Sequence, residues 1–587
     1  MLNHKRSALS LALAVVLAPT LASAQSTQST TTPATTAATN LDTVQVTGIR
    51  RGIENAIAVK QDATSVVEAI SAEDIGKLPD VSIAESISRL PGLAAQRVAG
   101  RAQVISVRGL SPDFATTLLN GREVVSTGDN RGVEFDQYPS ELVNGVTVYK
   151  TPDAALVGQG LSGTIDMQTA RPLSFGERVI AVSGRYQKSS LGRAANVDPY
   201  GNRFSASYID QFLDKTLGIA IGYAHSDMPI QENQVGLYEP WTTEHTDKGE
   251  RPGVGAGTYF SDGIKALRRT GNNKRDGVMA TIQFRPNNSW TSTFDAFHTE
   301  AEQIDTANQF ELNLSNYNGN YTPGLLVSNP QINANGSFTG GTASGVYPLV
   351  RGMYNKRKDK IDAFGWNNEF NFGGVKLVAD LNYSKATRAE LNLENNLQLT
   401  PMPQLDTVGV SIRQNGFSQI NPGLNYSNPD ALFLTNTIYG SGYGKVPQVE
   451  DRLKGGKLAA TIALPEAIAS WAPDLDIGVN YADRRKVKTQ SEGNILLGAQ
   501  GDANIASDLQ YRPVDLSFAG LGTIPAWNVP AAVGRYMTFN PVDNLDYLIP
   551  KSWTVQEKIT TAWARLNINT DIGVVGVRGN IGVQMQH

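Results

Sequence analysis

The sequence predicts a transmembrane antiparallel β-barrel preceded by a small mixed α/β domain. Three features predict it: period-two alternation through most of the chain, connections that alternate between tight and very long, and an export signal at the start. In the alternating segments Val278, Ala280, Ile282 and Phe284 share one face while Met279, Thr281, Gln283 and Arg285 share the other. The same dyad recurs at residues 217–224, 375–384, 475–482 and 575–586. Strands of roughly ten residues, apolar outward and polar inward, are the pattern of a barrel with a wet interior. A soluble sandwich alternates too, with its faces inverted, so the connections decide. Eleven strands are expected, from 177–187 to 575–586, with tight links at 212–215, 286–288, 373–374 and 571–574. The links at 227–274, 300–359, 387–451 and 486–556 are long. Short turns on one side and long loops on the other is the arrangement of outer-membrane barrels.

The export signal occupies residues 1–24. His4-Lys5-Arg6 precedes an apolar run over residues 9–18, and Ala22-Ser23-Ala24 supplies a small-x-small cleavage site. No later stretch reaches the roughly 18 consecutive apolar residues of a spanning helix. Residues 25–40 are a Ser/Thr/Ala/Gln tract with no large apolar side chain, which reads as a flexible linker because burial cannot offset its ordering entropy. Residues 41–48 then form a short β-former with no partner strand nearby: Asp42, Thr43, Val44, Gln45, Val46 and Thr47, closed by Gly48. A lone strand on a tether is suited to pairing with another protein.

Composition narrows the remaining classes. The chain has 587 residues, 40% hydrophobic, 18% charged, with a net charge of -4, which leaves no basic excess for nucleic acid. It contains no cysteine, hence no disulfide and no thiolate metal site. The five histidines, His4, His225, His245, His298 and His587, have no metal-ligand spacing, no nucleophile elbow is present, and the carboxylates are scattered. No catalytic, metal or cofactor site is assigned. The long connections are rich in Asn, Gly, Tyr and Phe at residues 313–321 and 425–443, a composition shared by sugar-binding and by merely exposed loops. Trp290, Trp366 and Trp563 are assigned to an interfacial aromatic girdle.

The N-terminal domain spans residues 50–172. Ser82-x-x-Glu85 is a capping box for a helix carrying Ile83, Ile87 and Leu90 on one face, stopped by Pro91-Gly92. Strands are expected at 104–109, 146–149 and 164–169, and Asn120-Gly121 marks a type I′ hairpin turn. Gly158-Gln159-Gly160-Leu161-Ser162-Gly163 matches a dinucleotide fingerprint in letters, but a strand rather than a helix follows it. It reads instead as a loop that lets two backbones pass closely.

An ordered series of these pieces resembles the TonB-dependent outer-membrane receptors, most of all the branch typical of environmental Proteobacteria. Residues 41–47 resemble the TonB box. Residues 50–172 resemble the plug domain through Leu78-Pro79-Asp80, Pro91-Gly92, Arg108-Gly109, Asn120-Gly121-Arg122, residues 146–152, and Gly160 to Gly163. The resemblance implies a periplasmic tether and box, TonB as partner, lipid around the barrel, and import of a scarce extracellular ligand. Oligosaccharide, siderophore and cobalamin all remain open, with oligosaccharide slightly favoured. A passive channel or barrel-anchored adhesin is the alternative. Plugged barrels of this kind have about 22 strands, so residues 173–587 are expected to form about half of one. The end Val583-Gln584-Met585-Gln586-His587 lacks the family's terminal aromatic residue, which leads to the expectation of a C-terminally truncated fragment.

Overall fold

The computed structural model describes residues 49–71, 82–98, 101–238, 241–243, 251–315, 324–400 and 404–587. The signal peptide (1–24), the linker (25–40), the box (41–48) and the 78–80 motif therefore lie outside the described residues. Among the described residues no helix is long and apolar enough to cross a membrane.

The N-terminal domain begins with α1 (Ile49–Asp62), whose last turn carries Lys60 where a cation favours the helix dipole. Then come β1 (Val67–Ser71), α2 (Ile83–Ile87), the hairpin β2 (Leu93–Val98) and β3 (Arg101–Val107), β4 (Ala115–Leu119), β5 (Arg122–Glu123), β6 (Gly145–Tyr149) and β7 (Gly163–Gln168). Its five-stranded sheet has the order β1-β6-β7-β4-β5, with β4 and β7 parallel. Ser82 caps α2 by accepting from the Glu85 amide at 3.4 Å, while the Glu85 carboxylate takes Arg97 at 3.1 Å. Helix α1 and strand β1 had no counterpart in the sequence reading.

Eleven long strands follow in one antiparallel path. They are β8 (Val179–Lys188), β9 (Tyr200–Phe212), β10 (Leu217–Leu237), β11 (Gly263–Asn287), β12 (Trp290–Asn313), β13 (Leu349–Asn371), β14 (Val375–Leu399), β15 (Gly442–Ala463), β16 (Asp474–Leu497), β17 (Trp553–Ile572) and β18 (Val575–Gln586). Each pairs with its sequence neighbours, β8 and β18 forming the edges. Every expected strand is present, and the four tight links are where the sequence placed them.

The strands are much longer than expected. Strand β11 has 25 residues and β14 has 25, against the roughly ten that cross a bilayer. Segments read as loops continue the ladder: Asp227 pairs with Lys274, Glu300 with Lys360 and Thr387 with Glu450. The physical reason lies in solvent. Away from lipid neither face need be apolar, so segments such as Gln231-Glu232-Asn233-Gln234 keep their backbone bonds while losing the alternation that marks them.

Because the registers of β10 to β17 stay in step over this region, one face can be followed along its whole length. On β12 it starts with Phe294, 43% exposed, passes through His298, Glu300 and Glu302, and ends in buried Phe310 and Leu312. The apolar exposed band recurs across the sheet in Ile221, Ile282, Phe364, Leu381, Leu458 and Val479. Trp290 and Trp366 lie on this face, Trp290 edge-on to Phe284 at 5.7 Å and stacked with Phe370 at 6.4 Å. Trp563 does not. It is 7% exposed on the opposite face, where its ring covers Gly478, so it belongs to the interior rather than to the girdle.

The far ends of the strands carry a second core. The long connections fold into a four-stranded sheet (Leu326–Ile332, Phe338–Val346, Asp406–Ser411, Gln419–Pro422), a hairpin (Gln510–Asp515 with Thr523–Trp527) and α3 (Val529–Tyr536). Phe260, Phe310, Phe338, Tyr426 and Trp527 are buried together there. Tyr426 meets Phe310 edge-on at 4.9 Å and donates its hydroxyl to Asp406 at 3.0 Å. The aromatic residues of these connections thus include a packed core, which composition could not separate from exposed binding surface.

Candidate functional site

The N-terminal domain sits against the face of the long sheet opposite the exposed apolar band, through ion pairs and hydrogen bonds set around an apolar cluster that includes Met279, Phe297, Ile361 and Leu453 of the wall. Its centre is the Asn120-Gly121 turn. Both residues have positive φ, 55° and 75°, as a type I′ turn requires. The Asn120 side chain bonds Thr169 through both its amide atoms, and the Gly121 N–H donates to Asp166 at 2.9 Å. So held, the turn projects Arg122 into the wall. Its Nε donates to Asp380 at 2.8 Å and its Nη2 to the other oxygen at 2.8 Å, while Nη1 reaches Asp295 at 2.7 Å. Arg171 binds the second oxygen of Asp295 at 2.7 Å. The guanidinium lies over Gly365, where any Cβ would collide with it.

Further contacts surround this anchor. Glu134 pairs with Arg388, which also holds Asp359 at 2.7 Å, and Asp136, held within the domain by Arg101 at 3.0 Å, faces Arg357 of the wall at 3.9 Å. Burial would raise the Glu134 carboxyl, but Arg388 and Arg357 beside it hold it well below the ordinary range. The Ser126 N–H donates to Asp451 at 3.1 Å, and Asp451 is bound by Arg484 at 2.5 Å. At the last strands Arg565 binds Asp153 at 2.8 Å, and Gln584 donates to the Ala154 and Leu156 carbonyls at 2.9 Å. Amid them Tyr138 stacks on Phe297 at 5.2 Å, within an apolar cluster that also takes in Met279, Ile361, Ala386 and Leu453 of the wall.

The other motif residues fall in two places. Pro91, Gly92, Arg108 and Gly109 meet at one end of the domain: the Arg108 N–H donates to the Gly92 carbonyl at 2.7 Å, and Lys150 donates to the Pro91 carbonyl at 2.7 Å. Gly160 and Gly163 belong to the close-passing loop. A Cβ on Gly160 would lie 2.5 Å from the Thr116 nitrogen, and Gly163 opens strand β7 with φ +151°. No helix follows, so the loop offers no pyrophosphate seat. Sequence reasoning missed the wall partners Asp295, Asp359, Asp380, Asp451 and Arg388. Their signal was present as charged residues on the polar face of alternating strands, but pairing them needs the register.

Asp166 carries a pH dependence. Burial pushes its carboxyl up to about 6, only partly offset by the Gly121 N–H and Gln168. The fold favours the protonated form, so this contribution is full below the unfolded value near 3.8 and is lost as pH rises through about 6. The urea midpoint of the domain is expected to have a component that falls between about pH 4 and about pH 6 and is flat above, and the Asp166→Asn variant, which keeps an acceptor for Gly121, is expected to lose that component.

Residues 59–165 match the family described as TonB-dependent Receptor Plug Domain. The N-terminal domain is a plug domain of the TonB-dependent receptor kind. The eleven-stranded antiparallel path is the wall it packs against. A ferric enterobactin receptor, PirA of Pseudomonas aeruginosa, is 32% identical over 125 residues, 18% of this chain and 16% of that one. The match thus spans about a sixth of that receptor's length. Among solved structures, the siderophore receptor PirA from Acinetobacter baumannii is 10% identical, covering 90% of this chain and 81% of that one, with a TM-score of 0.30. The outer membrane transporter YddB from Escherichia coli is 9% identical, covering 89% and 98%, with a TM-score of 0.31.

Proposed function

We propose that this chain is a TonB-dependent outer-membrane receptor that imports a scarce extracellular ligand, with TonB pulling on residues 41–48 from the periplasm. The observation that carries this reading is the plug–wall contact. It is specific enough to keep the lumen shut, and around its apolar patch it carries many ion pairs and hydrogen bonds that water can replace as they part. The outer membrane holds no ATP, so the work must come through the tether. Strand addition to the box gives a grip made by backbone hydrogen bonds, with Asp42, Thr43, Val44, Gln45, Val46 and Thr47 as the paired residues. The ligand class stays at siderophore, cobalamin or oligosaccharide. The relative named for ferric enterobactin supports the first of these.

The test separates energy from recognition. Val46→Pro removes a ladder donor and is expected to abolish uptake while leaving surface binding of ligand unchanged. A variant that still imports at the wild-type rate overturns the box assignment, and equal loss of binding and uptake overturns the division of labour.

A further inference from the structure

Glu123 follows the anchoring Arg122 directly and enters the same seam between plug and wall, yet no partner receives it. Its carboxyl lies against Gly158, where any Cβ would come within 2.6 Å of it. Among the described residues that carboxyl makes no hydrogen bond and no ion pair. The cations around it are engaged elsewhere: Arg122 by Asp295 and Asp380, Arg131 by Glu557 at 3.0 Å, and Arg484 by Asp451. Lys457 on β15 stands in register with Asp380 rather than with Glu123.

What the carboxyl faces instead is a little space on either side. One cavity of about 20 Å³ is bounded by Glu123, Thr281, Asp295 and Ser384, and a second of about 20 Å³ by Glu123, Asp380, Lys457 and Asn480. Each exceeds the roughly 10–15 Å³ that a single water needs. The buried Ser384 hydroxyl in the first cavity has no protein partner among the described residues. An unpaired carboxylate is costly in such a place, whereas a neutral acid is tolerated and can donate a hydrogen bond. Burial accordingly raises the Glu123 carboxyl above its ordinary value of 4.5, a rise that Arg484 and Arg131 oppose only in part and to which Glu557 adds.

We propose that Glu123 is a proton-dependent latch of the plug, seated as the neutral acid and ionised when the plug parts from the wall. As the seam opens, the O–H bond of the carboxyl breaks, its proton passes to the entering water, and a carboxylate remains. Each opening therefore releases one proton, and reseating takes one up, because an ionised Glu123 would return to the side of Asp295 and Asp380. The inference concerns the closed contact alone and is independent of the import reading. The sign follows from the raised seated value. The latch contributes fully below the open-state value near 4.5 and is lost as pH rises through the seated one, so acid holds the plug shut.

The test uses the full chain in detergent, without TonB or ligand, in the Asp166→Asn background so that the component assigned to Asp166 is absent. The Ser126 amide donates across the seam to Asp451, and its hydrogen exchange, corrected for the intrinsic pH dependence of exchange, reads the opening. Exchange is expected to quicken above about pH 4.5 by up to tenfold per pH unit, the limit for one proton, and then to level off. Glu123→Gln keeps the shape and the neutrality, and is expected to abolish the slope while keeping the slow exchange of acid pH. The infrared difference between wild type and Glu123→Gln is expected to show a protonated carboxyl that persists above the pH at which ordinary glutamates ionise. A flat wild-type profile, a slope that survives in Glu123→Gln, or the lack of that carboxyl band overturns the latch. Exchange that slows as pH rises, with loosening by Glu123→Gln at every pH, would show an ionised Glu123 held by Lys457 and overturns it as well.

Discussion

Replacing Arg122 by methionine is expected to weaken the seating of the plug by about 3–5 kcal/mol, the cost of leaving buried carboxylates without their cation. Arg122 serves two of them at once, and all three side chains are about one-tenth exposed. Asp295 would keep Arg171 and Thr281. Asp380 would keep the Asn367 amide at 2.9 Å and, among the described residues, no cation. The loss should therefore fall mainly on Asp380, and Asp380→Asn in the Arg122→Met background should recover part of it, since it removes the stranded charge. Hydrogen exchange over β4, β5 and β7 reads the result, with faster exchange expected there and unchanged exchange in the far-end core. If the single and double variants exchange alike, the pair contributes no coupling and the anchor is misassigned. A plug that leaves too easily should also leak small solutes, which links this energetic term to the closed state of the lumen.

How much of this was legible in the sequence differs from one element to the next. Strand β11 announced itself by the contrast between Val278, Ile282 and Phe284 on one side and Met279 and Thr281 on the other, and the structure exposes the first set and buries the second. That contrast exists because lipid and lumen impose opposite demands on alternate residues. Where both faces meet water or protein, as at Gln231 to Gln234, the demand vanishes and the ladder becomes invisible. The Asn120-Gly121 turn was legible because few residue pairs tolerate two positive φ values. The partners of the next residue, Arg122, were not, since Asp295 and Asp380 lie more than 170 positions away and only strand register brings them together. Trp563 was misread for a related reason. An indole suits both a membrane interface and a lumen-facing slot over Gly478, and its side of the strand is fixed by its pairing with that glycine.

The second core makes the other large prediction. Trp527 is 1% exposed, rests on Gly352, and donates its indole N–H to the Asn395 side chain at 3.1 Å. Truncation to alanine is expected to cost about 3–5 kcal/mol through lost burial and the cavity left behind. The cost should be local. The indole packs between the connection that follows β16 and the upper ends of β13 and β14, so its loss should unlatch the hairpin and α3 while leaving the lower ladder intact. Amide exchange is expected to rise in Phe338–Val346 and Thr523–Trp527 and to stay unchanged in β4 and β7. Trp527→Phe, which keeps most of the volume but not the N–H, should fall between the two. Uniform loosening of the whole chain would show instead that far-end core and plug form one cooperative unit. That outcome would have a functional consequence, because a ligand gripped by the connections could then reach the plug through packing alone. Local loosening requires the ligand to touch the plug, or the wall residues that hold it, directly.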